Sequence, residues 1–501
     1  MRRALLPAAS PSLDLGSNLA SDLASTSAQS ARRSKVRIYV YDLPPKYNVH
    51  LAAHFKFSSS GRWDDSWLYG LDILIHRWLL HSPYRTLDPK EADFFFVPCY
   101  ISLGFYDFEF GLYWLSGRGF NFVREAFDYV QATWPHWNQS KGADHLFVMT
   151  NDKGGTFARA AVKALEKGTI LSQWGWRRPH IFRPDQDVVL PPILKVSSLL
   201  DASPFLGDDT SASTLDAAAA TSAASGAAQQ QLLLSFIGSI RPKNRGYSFG
   251  VRQKIFKLYN STPGFLLRDL RGESVQGVHR RMEQPEFLDI LHRSKFCLAP
   301  AGMGFSTRVY ESIAQGCVPL IIQHEPDSDT EADQAFQPLA PHPHSHPNPH
   351  PHPHPNPNPN PTPTPNQADQ AFEDLLPYAN FSLRLKQDAI PNLPKLLADF
   401  PREHWLALRR NLGCVWPRIM WLREESARSH LVRGQPKGGT HQGSRGGAGS
   451  KAGLEQYDAW ETMMATLARK AARRRGEAPP PFRWQAETGA LDSNGHSCGK
   501  V

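Results

Sequence analysis

Two stretches of the chain show the same pattern, in which short apolar runs alternate with amphipathic helical segments. In the first stretch, from Val36 to about Leu200, four apolar runs have the length of buried strands: VRIYVY, DFFFVPC, HLFVMT and DVVL. Apolar positions between the first two runs recur at helical spacing: Trp67, Leu71, Ile75, Trp78 and Leu79. Strands that alternate with helices predict a parallel sheet with helices packed on it.

The second stretch begins at Leu232, where LLLSFIGSI has the pattern of a buried strand that ends near Gly238. VRQKIFKLY (251–259) and PEFLDILHRS (285–294) are amphipathic and predict helices. Two stretches of this kind predict an α/β fold with two doubly wound sheets. Because ligands of such sheets bind outside the carboxyl ends of the strands, the residues that follow each strand are the candidates for a site.

The segment Ser294–Ile322, SKFCLAPAGMGFSTRVYESIAQGCVPLII, has the pattern of one strand–turn–helix–strand unit. Gly302 and Gly304 permit a tight turn and a close approach of the backbone to another group. Ser306 or Thr307 suits the N-cap of the helix. Free backbone N–H groups at a helix N-terminus beside a glycine turn offer a place for a phosphate or diphosphate.

Two charged residues of this predicted helix are candidates for contacts with such a ligand. Arg308, in the first turn, can bind a phosphate through two hydrogen bonds. Glu311, one turn further on, can accept hydrogen bonds from two adjacent sugar hydroxyls. Spacing alone favours a simpler interpretation, an i,i+3 ion pair on an ordinary helix, because glycine turns before helices are common.

Composition marks several segments that do not belong to these sheets. Residues 1–34 and most of 424–501 have the composition of disordered segments. Within the second of these, 459–475 has the pattern of a basic helix whose role the sequence does not reveal. Residues 201–231 are rich in Ala, Ser, Gly and Gln, which predicts a linker between domains or a surface insertion.

A His/Pro-rich tract lies between two copies of the pentapeptide ADQAF, at 332–336 and 368–372. Excising one copy together with the tract joins ADQAF directly to EDLLPYANFS. We therefore expect residues 324–372 to be a low-complexity insertion, or an unspliced segment, in a surface loop, extended as a polyproline II spacer. Adventitious metal binding by its histidines is the less favoured interpretation.

The chain is basic, with a formal net charge of +9 at pH 7. No basic run is interleaved with aromatic residues and no nucleic-acid-binding motif is present, so nucleic acid is not expected as a partner. A basic balance also suits a protein that binds anionic ligands.

Cysteine use and hydropathy bear on the compartment. The five cysteines are too few for a disulfide-based scaffold. Cys99, Cys297 and Cys317 lie in apolar strand contexts and are expected to be buried thiols, with a Cys297–Cys317 bridge left open. The sequence contains no run of 18 apolar residues, so no transmembrane helix is predicted. Residues 1–34 lack the apolar core of a signal peptide.

Motifs in both halves resemble those of the exostosin-type glycosyltransferases, family 47, of the single-domain type of plants and algae. In the second half the resemblance is carried by Ser294–Leu298, Pro300–Gly302, Arg308, Glu311 and Gln315–Ile322. In the first half it is carried, in the family's order, by VRIYVYDLPPKYN (Val36–Asn48), YRTLDPKEADFFFVPCY (Tyr84–Tyr100), DHLFVMTNDKGG (Asp144–Gly155) and DVVLPP (Asp187–Pro192).

The resemblance implies a glycosyltransferase-B fold, in which two doubly wound, Rossmann-like domains face each other across a cleft. Residues 35–200 would form the acceptor-side domain, and 232–323 with 373–423 the nucleotide-sugar-binding domain. It implies an inverting transfer of a sugar from a nucleotide-diphosphate donor, a UDP-sugar, to a polysaccharide or glycoprotein glycan. It also implies a membrane-associated enzyme of the Golgi lumen. The alternative is a non-catalytic, exostosin-like scaffold subunit that works with a glycosyltransferase partner.

Inverting transfer needs positive charge and N–H dipoles at the leaving diphosphate. The candidates on the donor side are Gly238, Arg241, Lys243, Arg252, Gly302, Gly304, Ser306, Arg308 and Glu311. For Lys243, a solvated loop charge is an equal interpretation. Arg252 resembles a recurrent arginine of the family, with helix capping as the alternative.

The same chemistry needs a general base near the acceptor hydroxyl. Asp152 follows the run HLFVMT, and Asp42 follows the first strand, so each is expected at the carboxyl end of a strand. Each taken singly is also a common turn or N-cap residue.

A metal is not expected at the site. Asp327-Ser328-Asp329 matches the three-residue DxD pattern by which other glycosyltransferases bind a divalent ion, but no apolar strand leads into it. A solvated loop is the better interpretation, and the resemblance implies transfer without a metal or another cofactor.

Overall fold

The structure is a computed structural model, and it describes the greater part of both halves of the chain. The described residues are 35–54, 69–107, 111–112, 118–152, 154–156, 159, 162–178, 180–194, 199, 203–205, 231–244, 246–270, 274–275, 278–279, 282–323, 367–422 and 454–484. The expected N-terminal segment, the Asp327–Asp329 pattern and the His/Pro tract therefore lie outside the described residues.

The strands are short and lie in both halves of the chain. In chain order they are β1 (Ile38–Val40), β2 (Arg85–Thr86), β3 (Phe94–Phe96), β4 (Tyr106–Asp107), β5 (Gly111–Leu112), β6 (His145–Met149), β7 (Thr169–Ser172), β8 (Gly175–Trp176), β9 (Val188–Val189), β10 (Leu232–Gly238), β11 (Phe265–Asp269), β12 (Ser274–Val275), β13 (Val278–His279), β14 (Ser294–Pro300), β15 (Val318–Ile322), β16 (Ala368–Asp369) and β17 (Leu383–Arg384).

Eleven of these strands form two parallel sheets, one in each half. The first sheet has the order β2–β1–β3–β6–β7–β9 and the second the order β11–β10–β14–β15–β17. All pairings within both sheets are parallel, as in the register Phe296↔Val318 to Pro300↔Ile322 between β14 and β15. The predicted α/β fold of glycosyltransferase-B type is confirmed.

Helices cover the sheets. They are α1 (Val49–His54), α2 (Leu71–Leu80), α3 (Ile101–Phe105), α4 (Arg118–Thr133), α5 (His136–Ser140), α6 (Val251–Tyr259), α7 (Gln284–Arg293), α8 (Arg308–Ala314), α9 (Leu393–Ala398), α10 (Arg402–Val415) and α11 (Ala459–Arg474). The central strands β14 and β15 of the second sheet are almost entirely buried, as expected of parallel strands covered on both faces, which is why their sequences are nearly continuously apolar.

The two halves pack against each other through a cluster of buried, mostly aromatic residues. Its members come from both halves: Trp174, Trp176, Phe249, Ala301, Phe305 and Ala368. The antiparallel pair β8–β16 also crosses the boundary, and beside it Arg177 Nε lies 2.6 Å from Asp369 Oδ1. The second ADQAF copy, of which Ala368 and Asp369 are part, is therefore packed into the fold, although composition placed it in the insertion.

The C-terminal helix α11 packs on the first half of the chain. Trp460 is fully buried against Trp78, and Lys470 Nζ donates to the carbonyls of Pro184 and Asp185 over 3.2 Å. Composition assigned residues 424–501 mostly to a disordered tail. Charge-rich composition hid the apolar face of α11, which is formed by Trp460, Met463, Met464, Leu467 and Ala471.

The structure bears on two predictions, one about the cysteines and one about membrane-spanning helices. Cys297 and Cys317 form a disulfide that joins β14 to the residue before β15, so the bridge that the sequence left open is present and these two side chains are not the free thiols that were expected. Cys99 is a buried free thiol, as predicted. Among the described residues no helix is both long and apolar enough to cross a membrane.

Candidate functional site

The carboxyl ends of the two sheets meet where the turn after β14 lies against the residues that follow β6. A Cβ on Gly304 would stand 1.8 Å from the carbonyl oxygen of Asp152, so only glycine permits this contact. Within the turn, Gly302 N–H donates to the carbonyl of Gly304 over 3.0 Å. The close backbone approach expected here is made to the other half of the protein.

Arg252 is held rigidly at the carboxyl end of β10. It lies on α6 and is buried, and its Nε donates to the carbonyl of Ala301 over 3.0 Å. Its Nη1 donates to the carbonyl of Ser239 over 3.0 Å and to the hydroxyl of Tyr247 over 2.8 Å. The side chain therefore reaches across the loops at the sheet edge and does not cap its own helix.

Arg252 is one of three arginines close enough to influence each other. Burial, together with the charges of Arg308 and Arg241, lowers the pKa of Arg252 to about 10, while Tyr247 acts in the opposite direction. Mutual repulsion of buried cations is unfavourable unless an anion compensates it. The cluster of Arg241, Arg252 and Arg308, called the arginine cluster below, is thus suited to an anionic ligand.

The remaining candidates after β10 differ in exposure. Arg241 has a left-handed backbone, with φ of 51°, and its guanidinium lies 4.5 Å from the centroid of the Tyr247 ring. Gly238 is the last residue of β10. Lys243 is exposed on the turn that follows, which matches the interpretation as a solvated loop charge.

Arg308 and Glu311 form the ion pair that their spacing favoured. Arg308 Nη1 contacts Glu311 Oε2, and Arg308 Nε donates to the carbonyl of Ile237 over 2.8 Å. The guanidinium also lies 5.0 Å from the ring centroid of Phe287. Arg308 is therefore anchored to β10, beside the other arginines, with Glu311 as its counter-ion.

The helix start differs from the expected phosphate site. Helix α8 begins at Arg308, and Thr307 occupies the N-cap position without a side-chain capping bond. Ser306 is buried, and its Oγ accepts the N–H of Arg308 over 3.3 Å. One N–H that the sequence left for a phosphate is thus already bonded, which makes the arginine cluster the stronger feature for anion binding.

The two candidate bases follow strands β1 and β6 of the first sheet, which are separated by β3. Asp152, after β6, is half-buried, and its Oδ2 accepts a hydrogen bond from the hydroxyl of Tyr69 over 3.1 Å. Asp42, after β1, is exposed. Asp152 adjoins the donor-side turn at Gly304, so it is the better placed of the two.

A buried polar corner beside Asp152 has no counterpart in the sequence prediction. Asp72, at the start of α2, is buried, and burial raises the pKa of its carboxyl to about 8. Nearby, the hydroxyls of Ser102 and Thr150 lie 2.9 Å apart. These residues come from three distant segments, so no local sequence signal marks them.

A strained turn before α6 also escaped prediction. Ser248, Phe249 and Gly250 have φ of 60°, 50° and 77°, and left-handed non-glycine residues cost about 1–2 kcal/mol each. The turn places Phe249 between the halves, 5.3 Å from Trp176 in ring-centroid distance, and Ser248 N–H donates to the carbonyl of Gly302 over 2.9 Å. Gly250 was the sole sequence signal for it.

A comparison with known families decides what kind of protein has this architecture. The model of the exostosin GT47 domain matches residues 32–400. The chain belongs to the exostosin GT47 family. The matched region contains every strand of both sheets, whereas α11 lies beyond it.

Plant proteins are among the relatives of this GT47 chain. A probable glucuronosyltransferase of Oryza sativa subsp. japonica is 25% identical over 388 residues, which cover 76% of this chain and 73% of the relative. A probable glucuronoxylan glucuronosyltransferase of Arabidopsis thaliana is 32% identical, over 57% of this chain and 56% of its own. A probable beta-1,4-xylosyltransferase of Arabidopsis thaliana is 27% identical, over 58% and 63%. The GT47 chain is a glycosyltransferase.

Proposed function

We propose that this glycosyltransferase transfers a sugar from a UDP-sugar to a polysaccharide with inversion at the anomeric carbon. The observation that carries the proposal is the contact between the residues after β6 and the turn after β14. It brings Asp152 to the edge of the half that holds the arginine cluster, which is the arrangement that a single displacement requires.

In this reaction Asp152 takes the proton of the acceptor hydroxyl. The hydroxyl oxygen attacks the anomeric carbon as the bond from that carbon to the diphosphate oxygen breaks. The diphosphate leaves with the bonding electron pair, and the arginine cluster stabilises its charge. Glu311 accepts hydrogen bonds from the nucleotide ribose in place of part of its contact with Arg308.

The names of the relatives narrow the substrates to propose. Glucuronosyltransferases and a xylosyltransferase stand among them, so UDP-glucuronate and UDP-xylose are the donors to test first. A xylan chain is the corresponding acceptor. A glycoprotein glycan is the alternative acceptor.

The transfer is proposed to need no metal, because three arginines provide positive charge at the leaving group. The Cys297–Cys317 disulfide suits an oxidising compartment, in agreement with the Golgi lumen. Association with the membrane there, directly or through a partner glycosyltransferase subunit, is part of the proposal.

The test is a transfer assay with purified protein. UDP-xylose and UDP-glucuronate are each incubated with xylo-oligosaccharides, with and without EDTA, and the product anomer is read by NMR. Inverted product whose yield is unaffected by EDTA supports the proposal. Retained configuration refutes the displacement, and rescue by manganese after EDTA refutes the metal-free step. Binding of UDP without transfer to any acceptor would favour the scaffold alternative.

A further inference from the structure

Tyr69 touches three parts of the candidate site at once. Its hydroxyl donates to Asp152 Oδ2 over 3.1 Å, and its carbonyl accepts from Thr150 Oγ1 over 2.7 Å. Its ring meets the ring of Phe305 edge-on, with centroids 6.4 Å apart and planes at 89°. Asp152 and Thr150 follow β6, whereas Phe305 belongs to the turn after β14, so one side chain spans both halves.

Hydrogen bonds of two buried hydroxyls fix the backbone of Tyr69. The Thr150 hydroxyl donates its only hydrogen to the Tyr69 carbonyl. The Ser102 hydroxyl is therefore the donor in its hydrogen bond to Thr150 Oγ1, over 2.9 Å. The N–H of Thr150 in turn donates to Ser102 Oγ over 3.0 Å, and both residues are buried. Buried, fully paired hydroxyls of this kind hold a segment in one position.

We infer that Tyr69 is a positioning residue that holds the carboxylate of Asp152 at the donor-side turn. The hydrogen bond fixes Oδ2 and thereby the direction in which the other carboxylate oxygen points. The contact with Phe305 sets that direction relative to the half that carries the donor.

This inference rests on the proposed role of Asp152, and it makes a separate prediction. The arginine cluster binds the donor, and Tyr69 acts on the base. Removal of the hydroxyl should therefore slow the transfer and leave the affinity for the donor unchanged. A residue that only supported the fold would affect both.

The test compares Tyr69→Phe with Tyr84→Phe. Tyr84 also donates its hydroxyl to a carboxylate, that of Glu461 over 2.5 Å, but it does so on α11, away from the site. We expect Tyr69→Phe to lower kcat on the order of tenfold with unchanged KM for the donor sugar and unchanged UDP affinity by calorimetry. Tyr84→Phe should keep wild-type kinetics. Equal kcat in the two variants, or a joint change of kcat and KM in Tyr69→Phe, overturns the inference.

A double-mutant cycle separates this inference from the proposed base. Asp152→Asn should lower the transfer rate about 10²–10⁴-fold, the usual contribution of a general base. Tyr69→Phe added to it should cause no further loss of that residual rate, because Tyr69 acts through Asp152. Additive losses in the double variant contradict that dependence while the base stands. Full activity of Asp152→Asn removes the base assignment and the role of Tyr69 with it.

Discussion

The two sheets carry opposite charges at the edges that face each other. The edge of the second sheet holds the arginine cluster, whereas the edge of the first holds the carboxylate of Asp152. These charges correspond to the two demands of a displacement, which are an anion to stabilise and a proton to accept. In the proposed mechanism each half performs one of these tasks, so substitutions in one half should leave the task of the other intact.

Loss of Arg308 tests the task of the second sheet and should have the largest effect. We expect Arg308→Ala to lower turnover on the order of a hundredfold, the scale of one lost transition-state donor. Steady-state kinetics would measure it. Arg293→Ala is the matched control, since Arg293 forms a helical ion pair with Asp289 at the opposite end of β14. A similar loss in both variants would mean that Arg308 contributes stability alone.

Glu311 is the exception to the charge comparison, because it places an acid in the cationic edge. If it binds the ribose, Glu311→Ala should weaken UDP binding by about 1.5–3 kcal/mol, as expected for a lost charge-assisted hydrogen bond. Isothermal titration calorimetry would measure the change. Unchanged or tighter binding would show that Glu311 serves only to neutralise Arg308.

Asp72 also lies on the side of the acid, but burial keeps its carboxyl protonated, so it adds no negative charge there. Burial raises the pKa of its carboxyl from 3.8 to about 8. The folded state therefore holds a proton that the unfolded chain releases near pH 4, and the stability that Asp72 contributes is present below pH 4 and lost as the pH rises through about 8. Asp72→Asn should raise the free energy of unfolding by roughly 1–3 kcal/mol at pH 9 and change it little at pH 4. Denaturant titrations at the two values would measure this, and an equal effect at both contradicts a buried neutral acid.

Deletion of the insertion should affect neither task and has the smallest expected effect. Deleting 337–372 gives the same sequence as deleting 332–367, because the pentapeptide ADQAF is duplicated, so the packed copy is kept. The ends of the loop already meet, since Ala368 N–H donates to the carbonyl of Gln323. A loop roughly five times shorter should stabilise the fold by at most about 1.5 kcal/mol. Calorimetric melting would measure it, and a large drop in melting temperature would mean that the tract packs on the fold.

The sequence predicted the second half of the site better than the first. Gly302, Gly304, Arg308 and Glu311 lie within one strand–turn–helix–strand unit, where local pattern and family motif coincide. Tyr69 reaches Asp152 only through the packing of the segment before α2 against the end of β6, and no local pattern records that contact.

The remaining differences have similar causes. The sequence could not decide whether the disulfide forms, because spacing does not reveal whether two strands are neighbours. The apolar face of α11 was not predicted because the same helix contains several arginines. Periodicity of apolar residues, in contrast, is a local property, which is why both parallel sheets were predicted.

The packing of α11 on the first half has a consequence for the order of synthesis. Arg474 donates to the carbonyl of Asp93, which lies 381 residues earlier in the chain. At 5–20 residues per second, the ribosome would need roughly 20–80 s to make the intervening chain. Throughout that interval the nascent first half lacks the surface against which Trp78 packs, so it would present an apolar face to chaperones. The first half is therefore synthesised first, but its packing is completed only when α11 has been made. A nascent chain stalled before residue 459 should remain bound to chaperones.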